Sequence, residues 1–153
     1  VEGIVDPRYY TEAGRVRGTF VHKAVKLLAL GRLKWETVDP RILGHVQAYE
    51  KFVSETGFQA TEVEQPIYHT AYRYAVTPAQ VGLMRGKITI PEFKTGILPS
   101  WVRLQTAAQA MAKYPDDWLG INRMGVELHA LGLLDSHVDT ALRSIVPPLA
   151  EAA

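Results

Sequence analysis

The chain has 153 residues and a formal net charge of +1 at pH 7, with 47% hydrophobic and 22% charged residues. These values are ordinary for a globular protein, and they predict one domain over residues 1–153 with a sizeable core. The lack of cysteine excludes a disulfide framework and a thiolate metal site. We find neither a run of about 18 apolar residues nor a signal peptide, so we expect a cytoplasmic protein without a membrane partner.

Two helices are predicted in the first third of the chain. The first covers about residues 11–30, because an apolar stripe with helical spacing runs through Val21, Ala24, Val25 and Leu28. Gly31 is suited to end it. The second begins at Asp39 and Pro40, a typical N-cap and first-turn pair, and it ends at Gly57. Its expected buried face consists of Ile42, Val46, Tyr49 and Val53.

Strand patterns dominate the middle of the chain. We predict strands over residues 59–69, 71–83 and 87–93, with a bend at Pro78 and a turn at 84–86. A helix over 99–113, a strand over 121–128 and a last helix over 137–146 follow. The third helix should bury Trp101, Leu104, Ala108 and Met111. This order predicts the α/β class.

Basic residues are concentrated in the first helix and the connector that follows it. No acid interrupts the series Arg15, Arg17, Lys23, Lys26, Arg32 and Lys34. Such a local positive field suits a polyanion such as DNA. The same pattern also fits an ordinary solvated helix face, and the charges alone leave both interpretations open.

The segment that suggests chemistry is IPEFKTG, residues 90–96. Side chains alternate along a strand, so Glu92 and Lys94 point to the same side. A carboxylate and an ammonium at the end of a buried strand are costly unless they are paired or used. We therefore expect a functional site at Glu92 and Lys94.

This segment resembles the (D/E)-x-K-T-G motif of the PD-(D/E)XK nucleases, in particular their RecB-like and phage-exonuclease branch. The G-T-x-D motif of that branch corresponds to Val76–Ala79, which places Ala79 at the position of its metal-binding aspartate, thirteen residues before Glu92. The G-x-x-x-H motif is matched by Gly18 and His22. The Q-x-x-x-Y motif is matched by Gln105, with Gln109 in place of the tyrosine.

The resemblance implies a restriction-endonuclease-like core, in which α-helices flank a mixed central β-sheet. It also implies a Mg²⁺- or Mn²⁺-dependent DNA nuclease, an exonuclease or end-processing enzyme of phage recombination or repair. By resemblance, the metal site comprises His22, Glu92, the carbonyl of Phe93 and the position of Ala79. Lys94 would activate water, and Gln105 would contact substrate near the cut. We expect the DNA contacts to come from Arg15, Arg17, Lys23, Lys26, Gln105 and Gln109.

Replacing the aspartate by Ala79 should weaken Mg²⁺ binding by about tenfold or more, since even outer-shell changes cost ~10–100-fold. Glu64, on the preceding strand, is either a surface carboxylate or a substitute ligand. The alanine fits both a deliberate substitution and natural loss. Two further alternatives remain open: a catalytically silent DNA-binding or assembly protein on the same fold, and an α/β domain whose Glu92–Lys94 pair is an ordinary surface ion pair.

Overall fold

A computed structural model describes residues 11–130, so the helix predicted over 137–146 lies outside the described residues. Within that range the fold contains three α-helices: α1 (Glu12–Ala29), α2 (Pro40–Thr56) and α3 (Val102–Lys113). Six strands accompany them: β1 (Gln59–Val63), β2 (Ile67–His69), β3 (Tyr74–Val76), β4 (Gln80–Met84), β5 (Lys87–Lys94) and β6 (Asn122–Glu127). The α/β class predicted from the sequence is confirmed.

The ends of the first two helices follow from their capping residues. The Thr11 hydroxyl accepts a hydrogen bond from the Gly14 N–H at the start of α1, and the Asp39 carboxylate accepts one from the Arg41 N–H at the start of α2. Gly57 ends α2 with φ 67°, a left-handed conformation that glycine adopts without steric cost. The predicted start and end of α2 are confirmed.

The central sheet has the strand order β1-β4-β5-β6. Strand β4 pairs antiparallel with both β1 and β5, whereas β5 and β6 pair in parallel, which makes the sheet mixed. Helix α3 supplies the crossover that parallel pairing requires. Strands β2 and β3 form a separate two-stranded sheet, and the Tyr74 hydroxyl ties that sheet to α3 by donating to the Ala108 carbonyl at 2.8 Å.

Helices cover both faces of the central sheet. On one face, α1 and α2 bury a cluster that includes Val21, Val46, Phe52, Phe93 and Met124. On the other face, α3 packs over a smaller cluster formed by Val81, Ile90, Ala110 and Ile121. Successive residues of β5 therefore point toward different helices, with Phe93 facing α2 and Glu92 facing α3. In the described part of the chain, no helix is long and apolar enough to cross a membrane.

Two of the predicted strands are interrupted. The strand expected over residues 59–69 divides into β1 and β2, and Glu64 lies between them with a left-handed φ of 48°. The strand expected over 71–83 divides into β3 and β4 around the buried Pro78. Proline has no N–H to donate to a ladder, so the chain leaves the sheet at that position.

The buried side predicted for α3 is wrong. Leu104 is 55% exposed, whereas the helix buries Val102, Thr106, Ala107, Gln109 and Ala110. The inward stripe is rotated because α3 packs over the end of β5, where Glu92 needs a polar neighbour. Small residues such as Ala107 and Ala110 let the helix lie close to the sheet.

Candidate functional site at the carboxyl end of β5

Glu92 and Lys94 form an ion pair at the end of β5. The Nζ of Lys94 lies 2.8 Å from Oε1 of Glu92, as their placement two residues apart on one strand predicts. Glu92 is 5% exposed, and the Lys94 ammonium also lies 4.9 Å from the ring centre of Trp101. Because the carboxylate is buried, the interpretation of the pair as an ordinary surface ion pair is wrong.

Gln109 of α3 binds the second oxygen of the same carboxylate. The Nε2 of Gln109 donates to Oε2 of Glu92 at 3.3 Å, and Gln109 is 2% exposed. The amide group must face Glu92 through its nitrogen, since its oxygen would be repelled by the carboxylate. The position that corresponds to the tyrosine of the Q-x-x-x-Y motif therefore holds a residue that fixes Glu92 from the neighbouring helix.

His22 of α1 reaches the same end of β5. Burial lowers the pKa of His22 below 6.5, the nearby Glu92 carboxylate opposes this shift, and the Lys94 ammonium adds to it. Hydrogen bonding to the backbone of Phe93 also favours the protonated ring. The His22 ring is therefore close enough to Glu92, Lys94 and Phe93 for each of them to affect its pKa. The structure brings together the histidine, acid and lysine singled out in the sequence.

Gly18 lies one helical turn before His22, where α1 passes the segment after β5. A Cβ at Gly18 would stand 3.7 Å from Oγ1 of Thr95, an ordinary contact distance. The Nη2 of Arg17 donates to the Thr95 carbonyl at 3.4 Å. Thr95, which the sequence analysis left without a role, therefore joins α1 to the end of β5, although the helix does not approach closely enough to require glycine.

Ala79 lies just before β4, at the same edge of the sheet. The register between β4 and β5 pairs Gly82 with Thr89, and continuing it by three residues brings Ala79 level with Glu92. Ala79 is half-buried and packs against the core cluster that contains Phe93. Ala79 therefore precedes the strand that pairs with β5, but it packs on the face of the sheet that carries Phe93, opposite to Glu92.

Neither neighbouring polar residue takes the place of the missing aspartate. The main-chain N–H of Glu64 donates to the Ala79 carbonyl at 3.1 Å, but its carboxylate forms an ion pair with Lys26 of α1. Gln80 is buried, and its Oε1 accepts a hydrogen bond from the Tyr49 hydroxyl at 2.8 Å. Both side chains are therefore engaged elsewhere.

The donor set does not fit a divalent metal of the Mg²⁺ type. Mg²⁺ demands near-octahedral oxygen coordination, whereas this site offers the Glu92 carboxylate, the Phe93 carbonyl and the His22 imidazole. Among residues 11–130, no group of three or more histidine, cysteine, aspartate or glutamate side chains is placed to hold a metal ion. Both Glu92 oxygens already accept from Lys94 and Gln109.

The basic residues expected to contact DNA differ in whether an acidic side chain already pairs with them. Arg15 pairs with Glu12 at 2.6 Å, and Lys26 pairs with Glu64, so both charges are partly neutralised. Lys23 lies on the exposed surface of α1 with its ammonium 5.8 Å from the ring centre of Phe20. Arg17 is exposed and its guanidinium contacts a carbonyl rather than an acid.

Two acceptor oxygens on α3 have no partner in the described structure. They are the buried Oε1 atoms of Gln105 and Gln109, one helical turn apart. An amide oxygen accepts hydrogen bonds and cannot donate them, so an enclosed water is the kind of partner that fits these two buried atoms. The Lys94 side chain, in contrast, is 25% exposed and can supply N–H groups to a phosphate.

Comparison of the sequence with models of known protein families and with curated proteins finds no match. The resemblance to the RecB-like nucleases consequently rests on short motifs and on the placement of their residues. His22, Glu92, Lys94 and Gln109 come from α1, β5 and α3, which are far apart in the sequence. Trp101 and Thr95 complete their surroundings. Thr95 is part of the K-T-G segment and Trp101 follows it closely, and these positions were the only signals that the sequence offered.

Proposed function

We propose that this chain is a RecB-like PD-(D/E)XK-type protein of DNA metabolism, and that it binds DNA at the carboxyl end of β5. The observation that carries the proposal is the meeting of His22 with Glu92 and Lys94. These residues lie seventy positions apart in the sequence, and the motif order of the nuclease family implies that they belong to one site.

The charges around this end of the sheet support a DNA backbone as the ligand. Arg17 and Lys23 lie exposed on α1, Arg17 reaches the Thr95 carbonyl next to Lys94, and Lys94 itself is partly exposed. Cations of this kind supply most of the affinity of a protein for a phosphate backbone, and they make that affinity dependent on salt. Trp101, next to Lys94, adds an aromatic surface of the type on which bases stack.

A specific observation favours binding without cleavage. Phosphodiester hydrolysis in the family resembles metal-assisted chemistry, which requires carboxylates to hold the ion. Here Ala79 stands where the first carboxylate belongs, and Lys94 and Gln109 already bind both oxygens of the second. We therefore favour the catalytically silent DNA-binding protein over the active nuclease.

The second candidate function is slow hydrolysis of DNA ends with Mg²⁺ or Mn²⁺. It is favoured by the retention of His22, Glu92 and Lys94 in one place, since a site without chemical function has no need for this combination. The order of motifs implies the same activity.

An assay on linear duplex DNA tests the proposed function and separates the two candidates. Binding is followed by fluorescence anisotropy at several salt concentrations, and cleavage is followed on a gel with Mg²⁺ and with Mn²⁺. Arg17→Ala and Lys23→Ala should each weaken binding and reduce the salt slope by about 1. Lys87→Ala is the matched control, because Lys87 begins β5 about 23 Å from Lys94.

Binding that is unaffected by Arg17→Ala and Lys23→Ala, or the absence of binding at low salt, would contradict the proposed DNA site. Cleavage that is lost in Glu92→Ala would establish the second candidate. Binding without cleavage would support the first.

A further inference from the structure

We infer that Lys94 and Gln109 act as an internal clamp that takes the place of a divalent cation at Glu92, so that this site engages the DNA backbone without a metal ion. The inference rests on the proposed DNA-binding function and adds to it the ionic requirement of the site. It follows from the donors that the chain itself supplies to the Glu92 carboxylate.

Both oxygens of the carboxylate have a donor from the chain itself. Lys94 Nζ donates to Oε1 at 2.8 Å, and Gln109 Nε2 donates to Oε2 at 3.3 Å. A metal that used Glu92 would have to displace at least one of them. Gln109 is 2% exposed and its Oε1 already lacks a hydrogen-bond partner. Displacing its Nε2 from Glu92 would therefore leave the whole buried amide group without a hydrogen bond from its side chain, which is costly.

The two carboxylates that lie nearest His22 each have a lysine partner. Glu92 is neutralised by Lys94, and Glu64 is neutralised by Lys26. A dication that used Glu92 would have to compete with the Lys94 ammonium for the carboxylate, whereas a phosphodiester would meet the remaining N–H groups of Lys94. The site thus favours an anion over a cation.

A carboxylate at position 79 should reverse the preference of the site for an anion over a cation. Ala79 immediately precedes β4, the strand that pairs with β5, so Ala79→Asp adds one negative charge and two oxygens at this end of the sheet. Adding this carboxylate should favour a divalent cation at the expense of the clamp. Ala79→Asn has nearly the same shape without the charge and serves as the matched control.

The direct test is a calorimetric titration of Mn²⁺ into the protein without DNA. We expect no saturable heat for the wild-type chain or for Ala79→Asn, and binding at least about tenfold tighter for Ala79→Asp. Saturable Mn²⁺ binding by the wild-type chain that disappears in Glu92→Gln would overturn the inference. This comparison of the wild-type chain with the nearly isosteric Glu92→Gln variant remains decisive even if Ala79→Asp does not fold.

DNA binding measured in EDTA and in Mg²⁺ provides a second readout on the wild-type chain. The clamp predicts equal affinity in both buffers once ionic strength is matched. Binding that requires Mg²⁺ would contradict the clamp and leave the proposed DNA-binding function intact. A chain that binds neither DNA nor Mn²⁺ would contradict the proposed function and leave the clamp at Glu92 intact.

Discussion

The ammonium of Lys94 lies 2.8 Å from an oxygen of Glu92, in a position where the carboxylate is almost fully removed from water. A buried carboxylate that loses its cation pays the full cost of desolvation, because no solvent replaces the lost partner. Removing the lysine should therefore lower the free energy of unfolding more than removing a partner from an ion pair on the surface of α1 or α2.

Lys94→Met should destabilise the protein by about 3 kcal/mol at neutral pH, since it leaves Glu92 charged and unpaired. Urea unfolding measures the free-energy change. Lys51→Met is the matched control, because Lys51 pairs with Glu55 at 3.5 Å on the surface of α2 and should contribute less than about 1 kcal/mol. The double variant Glu92→Gln, Lys94→Met should recover part of the loss. Equal effects of Lys94→Met and Lys51→Met would contradict the buried pair.

Gln109→Leu should cost about 1–3 kcal/mol, because it removes a donor from Oε2 of the buried Glu92. The side chains of glutamine and leucine are of similar size, so the change tests the hydrogen bond more than the packing. Urea unfolding of the variant is compared with that of Gln47→Leu, an exposed position on α2. Combining Gln109→Leu with Glu92→Gln should reduce the loss, and simple additivity of the two changes would refute a direct contact.

The stability of the protein should decrease as the pH falls below about 6.5. Burial lowers the pKa values of His22 and His45 from 6.5 in the folded chain. The unfolded chain therefore binds more protons than the folded chain just below pH 6.5, and acidification favours unfolding. Unfolding free energies between about pH 7.5 and pH 5 should fall in the wild type and fall less in His22→Gln. A His22→Gln slope equal to that of the wild type would show that His22 is not buried.

Gly82→Ala and Gly18→Ala should change stability in opposite directions. A Cβ at Gly82 in β4 would lie 2.1 Å from the carbonyl oxygen of Gln59 on the neighbouring strand, so Gly82→Ala should cost about 3 kcal/mol or more. Gly18 lies within α1 with ordinary space around it, and Gly18→Ala should stabilise the helix by about 0.5–1 kcal/mol. Thermal and urea unfolding measure the stability of both variants. A destabilising Gly18→Ala would imply a closer approach of α1 to Thr95.

Local signals in the sequence were sufficient to predict much of the framework. The caps of α2 at Asp39 and Gly57 and the apolar stripe of α1 depend on a few neighbouring residues, and each lies where it was expected. The two-residue turn at Arg85 and Gly86 is similarly local, with φ values of 51° and 78° that match the primed turns of β-hairpins.

Features that depend on distant partners could not be predicted in the same way. The breaks at Glu64 and Pro78 depend on which strands pair across the sheet. The rotation of α3 depends on Glu92, the polar group that the helix meets when it packs. The motifs located Ala79 and Glu92, but only the fold shows that Gln109 and Lys94 hold the carboxylate from two sides.

The central claim is that DNA lies over the end of β5, and a thiol-protection experiment tests it most directly. The chain has no cysteine, so Ile97→Cys introduces a single thiol at an exposed position three residues after Lys94, and Gln47→Cys introduces one on α2 as a control. Saturating DNA should slow the reaction of a maleimide with the Ile97→Cys thiol and leave the Gln47→Cys thiol unchanged. Equal reaction rates with and without bound DNA at Ile97→Cys would contradict the account.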